Sequence, residues 1–291
     1  MAVGIGLFIA FIGLVNAGVV VASPATKVTL GDLRQPMTLL SLFGLLFTAV
    51  LMVRGVRAAM LIGILTTTAL GALTGLVEWR PQPYGLEQLT KTALQMDLLG
   101  ALRLDLLEII LVFLFVNLFD DIGTLVAVGK KANLFEPDGK IPRVDRILFT
   151  DASATVVGSL VGTSTVVSYI ESAAGVAVGG RTGIPAIIAG LLFALSVFVA
   201  PLVGTIPSAA TAPVLVLVGS LMISHAAEIR WSDPVLGIPS FLTMLAIPLT
   251  FSIANGLALG FVTYTLLRVF GGQWRQVSWL MYGLTALFLA R

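Results

Sequence analysis

Apolar runs long enough to cross a bilayer dominate the chain, separated by short stretches where polar residues gather. A membrane-spanning helix needs about 20 mostly apolar residues. Runs of that kind are predicted at 3–22, 38–54, 57–77, 104–128, 147–162, 164–180, 183–202, 209–225, 237–253 and 254–271. A last run at 277–290 is short for a span and reads as interfacial, with Trp279 and Tyr282 at headgroup depth. The polar stretch 78–103 is amphipathic enough for a surface helix.

Composition narrows the class. Of 291 residues, 57% are hydrophobic and 11% charged, against about 25% charged in a soluble domain. That is too little charge to cover a water-facing surface, which excludes a soluble enzyme and a nucleic-acid binder. With no cysteine, thiolate chemistry and Cys-based metal sites are also excluded. The chain therefore reads as an all-α polytopic protein of the cell membrane, with the lipid bilayer as its solvent.

Lys and Arg set the orientation. The densest basic loop holds Lys130, Lys131, Lys140, Arg143 and Arg146 and is placed in the cytoplasm. Alternating outward from it puts Arg54, Arg57, Arg181, Arg230, Arg268 and Arg275 on the same side. Lys27, Arg34, Arg80, Lys91 and Arg103 fall on the other.

Ionisable groups inside the spans are few, and each is costly enough to suggest a task. The first cluster is Asn117-Leu118-Phe119-Asp120-Asp121-Ile122-Gly123-Thr124. On a helix, Asn117 and Thr124 form one polar stripe with either Asp120 or Asp121. The two acids point about 100° apart and do not serve the same task. Bridging of neighbouring helices competes with a proton or substrate site, and competes more strongly for Asp121 than for Asp120.

The second cluster lies between Gly158 and Gly183. Residues 162–169, Gly-Thr-Ser-Thr-Val-Val-Ser-Tyr, are β-branched and hydroxylated and read as extended. Small residues from Ile170 to Gly180 then read as helix. An extended stretch feeding a helix at membrane depth makes a discontinuous span, whose half-helix N-terminus presents N–H groups and a positive dipole end. Glu171 sits there, as a simple cap or as a group facing a polar ligand. The lone His225 reads as a solvated surface residue, and Gly179–Gly183 as a tight turn. Gly4, Gly6 and Gly13 read as marks of close helix packing. The sets 3–77 and 209–271 also share a span order, a weak internal repeat.

Three segments together resemble the signatures of one family. Asn117-Leu118-Phe119-Asp120-Asp121-Ile122-Gly123-Thr124-Leu125 is similar to the FDTxGTL signature of nucleobase permeases. Tyr169-Ile170-Glu171-Ser172-Ala173-Ala174-Gly175-Val176, running on through Gly179–Gly183, resembles their second signature, and residues 4–14 a third. The chain resembles the nucleobase–cation symporter-2 (xanthine/uracil permease) family, hypoxanthine–adenine–guanine branch, over essentially its whole length. That resemblance implies fourteen segments in two inverted repeats, of which about ten are present, so that the chain would begin at segment five. It implies gate helices at 1–103 and 205–291 and a substrate-binding core at 104–204. Carried onto this chain, Asp120, Thr124, Ile170 and Glu171 would contact the base, with Asn117 beside them. Asp120 and Glu171 would couple a proton. Asn117 stands where the branch usually has an acid, and Asp121 where it has Thr.

The expected function is proton-coupled uptake of purine nucleobases (hypoxanthine, guanine or adenine), with H⁺ or Na⁺ as coupling ion. Neither a metal nor an organic cofactor is implied, and a homodimer is one assembly such a chain allows. A purine edge offers N–H donors to carboxylates and acceptors to half-helix amides. Two alternatives differ in class. An anion transporter on the same fold would be repelled by Asp120 and Glu171. An intramembrane Asp-dependent metalloenzyme needs two carboxylate clusters around Mg²⁺, and only Asp120-Asp121 forms one.

Overall fold

The computed structural model describes residues 2–77, 91–136, 141–169, 172–177, 179–199 and 204–289. It is mostly helical and divides into two compact units, Met1–Pro81 with Leu202–Arg291, and Gln82–Pro201.

The first unit begins with α1 (Ala2–Asn16). A two-stranded antiparallel hairpin follows, β1 (Val20–Ser23) and β2 (Lys27–Leu30), with Val20 opposite Leu30 and Ser23 opposite Lys27. The span expected at 3–22 is thus shorter: the helix stops at Asn16. Gly18, at φ +74°, turns the chain, and the β-branched run after it pairs as a strand. Next come α2 (Pro36–Val53) and α3 (Ala59–Leu73). After the second unit, the chain continues as α9 (Ser208–Met222), α10 (Pro234–Thr250), α11 (Ile253–Phe270) and α12 (Trp279–Leu289).

The packing repeats itself. Helix α1 lies on α9, α1 also touches α10, and α9 touches α2, while α2–α3 and α10–α11 are hairpins. Exchanging the set α1–α2–α3 with α9–α10–α11 maps this pattern onto itself. Details repeat too. Gly63 of α3 faces the Thr48 hydroxyl of α2, and Gly260 of α11 faces the Thr243 hydroxyl of α10.

Burial is inverted relative to a water-soluble core. Thr38, Ser41, Thr48, Thr67, Thr243 and Thr265 are buried between helices, while Leu46, Leu73, Leu249 and Phe270 face outward. In lipid, association comes from close backbone approach and local hydrogen bonds rather than from hiding leucines. The α1–α9 seam shows this: Gly6 and Gly219 face each other, and Gly13 lies on the Ala212 carbonyl and Val216. Gly219→Val would drive a side chain into Ala10 and the Gly6 carbonyl. Overpacking of this kind costs about 1–3 kcal/mol, so thermal unfolding of the purified protein should begin several degrees lower. An unchanged midpoint would mean that the seam can open at no cost.

Among the described residues, Pro36–Val53, Ser208–Glu228 and Ile253–Phe270 are long and apolar enough to cross a bilayer, and several shorter apolar helices accompany them. Helix α12 has 11 residues, or about 16 Å of length, and joins α11 through a Thr285–Thr265 hydroxyl pair at 2.8 Å.

The second unit contains a short α4 (Leu98–Ala101), the 29-residue α5 (Leu104–Ala132), α6 (Val144–Val161), α7 (Ser172–Ala177) and α8 (Ile184–Ser196). Two expected spans differ here. Of the helix expected over 170–180, Ser172–Ala177 is helical, residues 170, 171 and 178 lie outside the described residues and the chain turns at Gly179, while the span expected at 183–202 passes from α helix into a 3₁₀ turn at Val197–Val199. Of the surface helix expected at 78–103, residues 78–90 lie outside the described residues. The remainder shows only α4, capped by the Asp97 carboxylate on the Gly100 N–H at 2.8 Å.

Candidate functional site

Helix α5 carries the acidic cluster. It runs past the expected end at 128 because nothing breaks it before Asn133. That residue adopts φ +53°, and the Leu134 N–H closes back on the Gly129 carbonyl at 3.0 Å. On this helix Asn117 Nδ2 donates to Asp121 Oδ2 at 3.4 Å, and Asp121 and Thr124 are buried. Of the two stripes open to the sequence, the structure therefore draws Asn117, Asp121 and Thr124 along one face. Asp120 lies within the helix, but its side chain is outside the described residues. So are Ile170 and Glu171.

Glu171 is bracketed by elements that are described. Helix α6 ends at Gly162 (φ +89°), where the Thr163 N–H returns to the Gly158 carbonyl at 3.0 Å. Residues 163–169 are non-helical, as their β-branched composition predicts. They run back along α6 and are pinned twice. Thr155 Oγ1 donates to the Val166 carbonyl at 2.6 Å, and Ser168 Oγ donates to Asp151 Oδ1 at 3.1 Å. Gly158 leaves room for this return, since a Cβ there would strike the Val166 side chain.

Asp151 is a residue that the sequence reading missed. Its partner lies 17 positions away, and only the fold-back of the extended stretch brings the two together.

Beyond Glu171, α7 packs against α5. The acidic helix and the element that follows Glu171 are thus neighbours within one unit. The Ser172 N–H donates to the Tyr169 carbonyl at 3.1 Å, so this first amide is already occupied. Among the described residues, a Cβ added at Gly123 of α5 or Gly175 of α7 would meet nothing within 4 Å. The tight turn expected at Gly179–Gly183 is present, with Gly179 at φ +102° and the Gly180 N–H on the Gly175 carbonyl at 2.9 Å. From that turn Arg181 Nη1 reaches the Ala132 carbonyl at 2.9 Å. A cation at the negative end of α5 is the favourable partner, and it ties the two ends of the site together. Among the described residues, no group of three or more acidic or His side chains is placed to hold a metal ion.

Residues 1–274 match the xanthine/uracil permease model, described as a permease family. A permease of Methanocaldococcus jannaschii is 52% identical over all of this chain and 67% of its own length. The guanine/hypoxanthine permease PbuG of Bacillus subtilis is 43% identical over 98% of this chain and 66% of its own. The adenine permease AdeP of Escherichia coli is 41% identical over 99% of this chain and 65% of its own. The chain thus spans about two thirds of the length of these curated relatives. With its apolar helices, inverted burial and matched segments, the chain belongs to the xanthine/uracil permease family of multi-pass membrane proteins.

Proposed function

We propose that the protein carrying this chain is a secondary transporter that takes up purine nucleobases with a proton. One observation carries the reading: the adjacent acids Asp120 and Asp121 lie within a 29-residue apolar helix that packs beside the short helix following Glu171. Relatives named guanine/hypoxanthine and adenine permeases supply the substrate class.

In this reading Asp120, Thr124 and Glu171 contact the base, with Ile170 offering backbone groups and Asn117 adjoining. The carboxylates accept from the purine N–H groups, and backbone amides donate to its ring acceptors. A carboxylate in a water-poor site is cheaper neutral than charged unless it is paired. Asp120 and Glu171 therefore share the one coupled proton, which arrives with the base and leaves when the site opens inward, while the carboxylate left charged accepts from the base. Asp151, through Ser168, positions the extended segment that leads to Glu171. Gate helices at 1–103 and 205–291 move against the core at 104–204.

In a strain lacking purine permeases, the full-length protein should give saturable uptake of labelled hypoxanthine, guanine or adenine that a protonophore abolishes. Saturable uptake that ignores the protonophore but follows Na⁺ would transfer the coupling to Na⁺. Uptake of none of the three bases would defeat the reading.

A further inference from the structure

The end of α11 and the loop into α12 carry two arginines that, among the described residues, have no acid in contact with them. The sequence contains no Asp or Glu after Asp233. Arg268, in the last turn of α11, donates from Nη1 to the side-chain carbonyls of Gln273 and, at 2.7 Å, Gln276, and stands 5.5 Å from the Tyr264 ring centroid. Arg275 stands over the Trp274 ring at 5.0 Å. Tyr282 steadies the loop by donating to the Trp274 carbonyl at 2.9 Å. All partners of both guanidinium groups among the described residues are neutral, and Nε of Arg268 has no hydrogen-bond partner among them.

We propose that Arg268 and Arg275 form a binding site for the phosphate of an anionic phospholipid headgroup. Ring faces and glutamine amides hold both forks in place, which lowers the entropy lost on binding, and a planar guanidinium matches phosphate oxygens. A phosphate would supply the counter-charge that the sequence after Asp233 lacks. Depth selects the lipid as its source. The loop ends an 18-residue apolar helix that is long enough to cross the bilayer, so it sits at headgroup level, where Trp and Tyr collect. Phe270 and Trp279 on either side are almost fully exposed, at 84% and 83%. They offer acyl chains an apolar surface that a free anion would not use. The count of Lys and Arg also places this loop on the basic, cytoplasmic side, whose leaflet carries anionic lipid.

The test is native mass spectrometry of the purified protein, titrated with phosphatidylglycerol, phosphatidylcholine or inorganic phosphate. Phosphatidylglycerol should be retained in preference to phosphatidylcholine. Arg275→Gln, an exposed change, should lower that retention about fivefold and leave phosphatidylcholine unaffected. Arg268→Lys, which keeps the charge but not the fork, should give an intermediate loss. Arg57→Gln, an exposed arginine in the α2–α3 loop on the same side, should change nothing. Three results would overturn the proposal. One is unchanged phosphatidylglycerol retention in Arg275→Gln. Another is an equal loss in Arg57→Gln, which would mean diffuse surface charge. The third is displacement of phosphatidylglycerol by equimolar inorganic phosphate, which would mean a free-anion site.

Discussion

Asp120→Asn should abolish purine uptake while the protein is still made and inserted. The substitution keeps the side chain's size and removes its ability to take up and release a proton. It also replaces a charged acceptor with an amide, and a charged hydrogen bond is worth about 1.5–3 kcal/mol. The loss should appear as uptake at the level of the empty strain, with unchanged protein in the membrane fraction. Asp121→Asn should be milder. Asp121 already has Asn117 as a local partner on the same helix face, and an amide in its place can still accept from Asn117. If Asp120→Asn transports normally and Asp121→Asn does not, the stripe containing Asp121 is the functional one and the carry-over from the family motif is off by one residue.

Glu171→Gln should weaken purine binding by tenfold to a hundredfold, the range that about 1.5–3 kcal/mol implies. Glu171→Asp should weaken it as well, because the shorter side chain withdraws the acceptor from a base held by neighbouring amides. The reading requires the two variants to agree in direction. A binding isotherm that Glu171→Gln leaves unchanged would assign Glu171 to helix capping alone.

How far the sequence could be read depended on the distance over which each contact acts. Gly6 and Gly13 were legible as packing marks because a seven-residue spacing returns to one helix face, and the structure lays them on α9. The Gly179–Gly183 turn was legible because glycine density is a local signal. The β1–β2 hairpin was not. Val19-Val20-Val21-Ala22 extends the apolar run of α1, and hydropathy alone does not separate a short strand from the end of a span. Its signal was present in the β-branched run and the Pro24 turn. The choice between Asp120 and Asp121 was not legible from spacing, since i+3 and i+4 from Asn117 both fall on its face. The Asp151–Ser168 pair was out of reach because two distant segments meet only after the chain doubles back at Gly162.

In this reading, uptake depends on binding of the purine base through Asp120 of α5 and Glu171. Equilibrium binding of labelled hypoxanthine, guanine and adenine to the purified full-length protein tests it most directly, with Asp120→Asn and Glu171→Gln measured alongside. Saturable binding of at least one base is expected, competed by unlabelled purine and not by inorganic anions, and weakened at least tenfold in each variant. Binding that inorganic anions compete away, or that both variants leave intact, would contradict it.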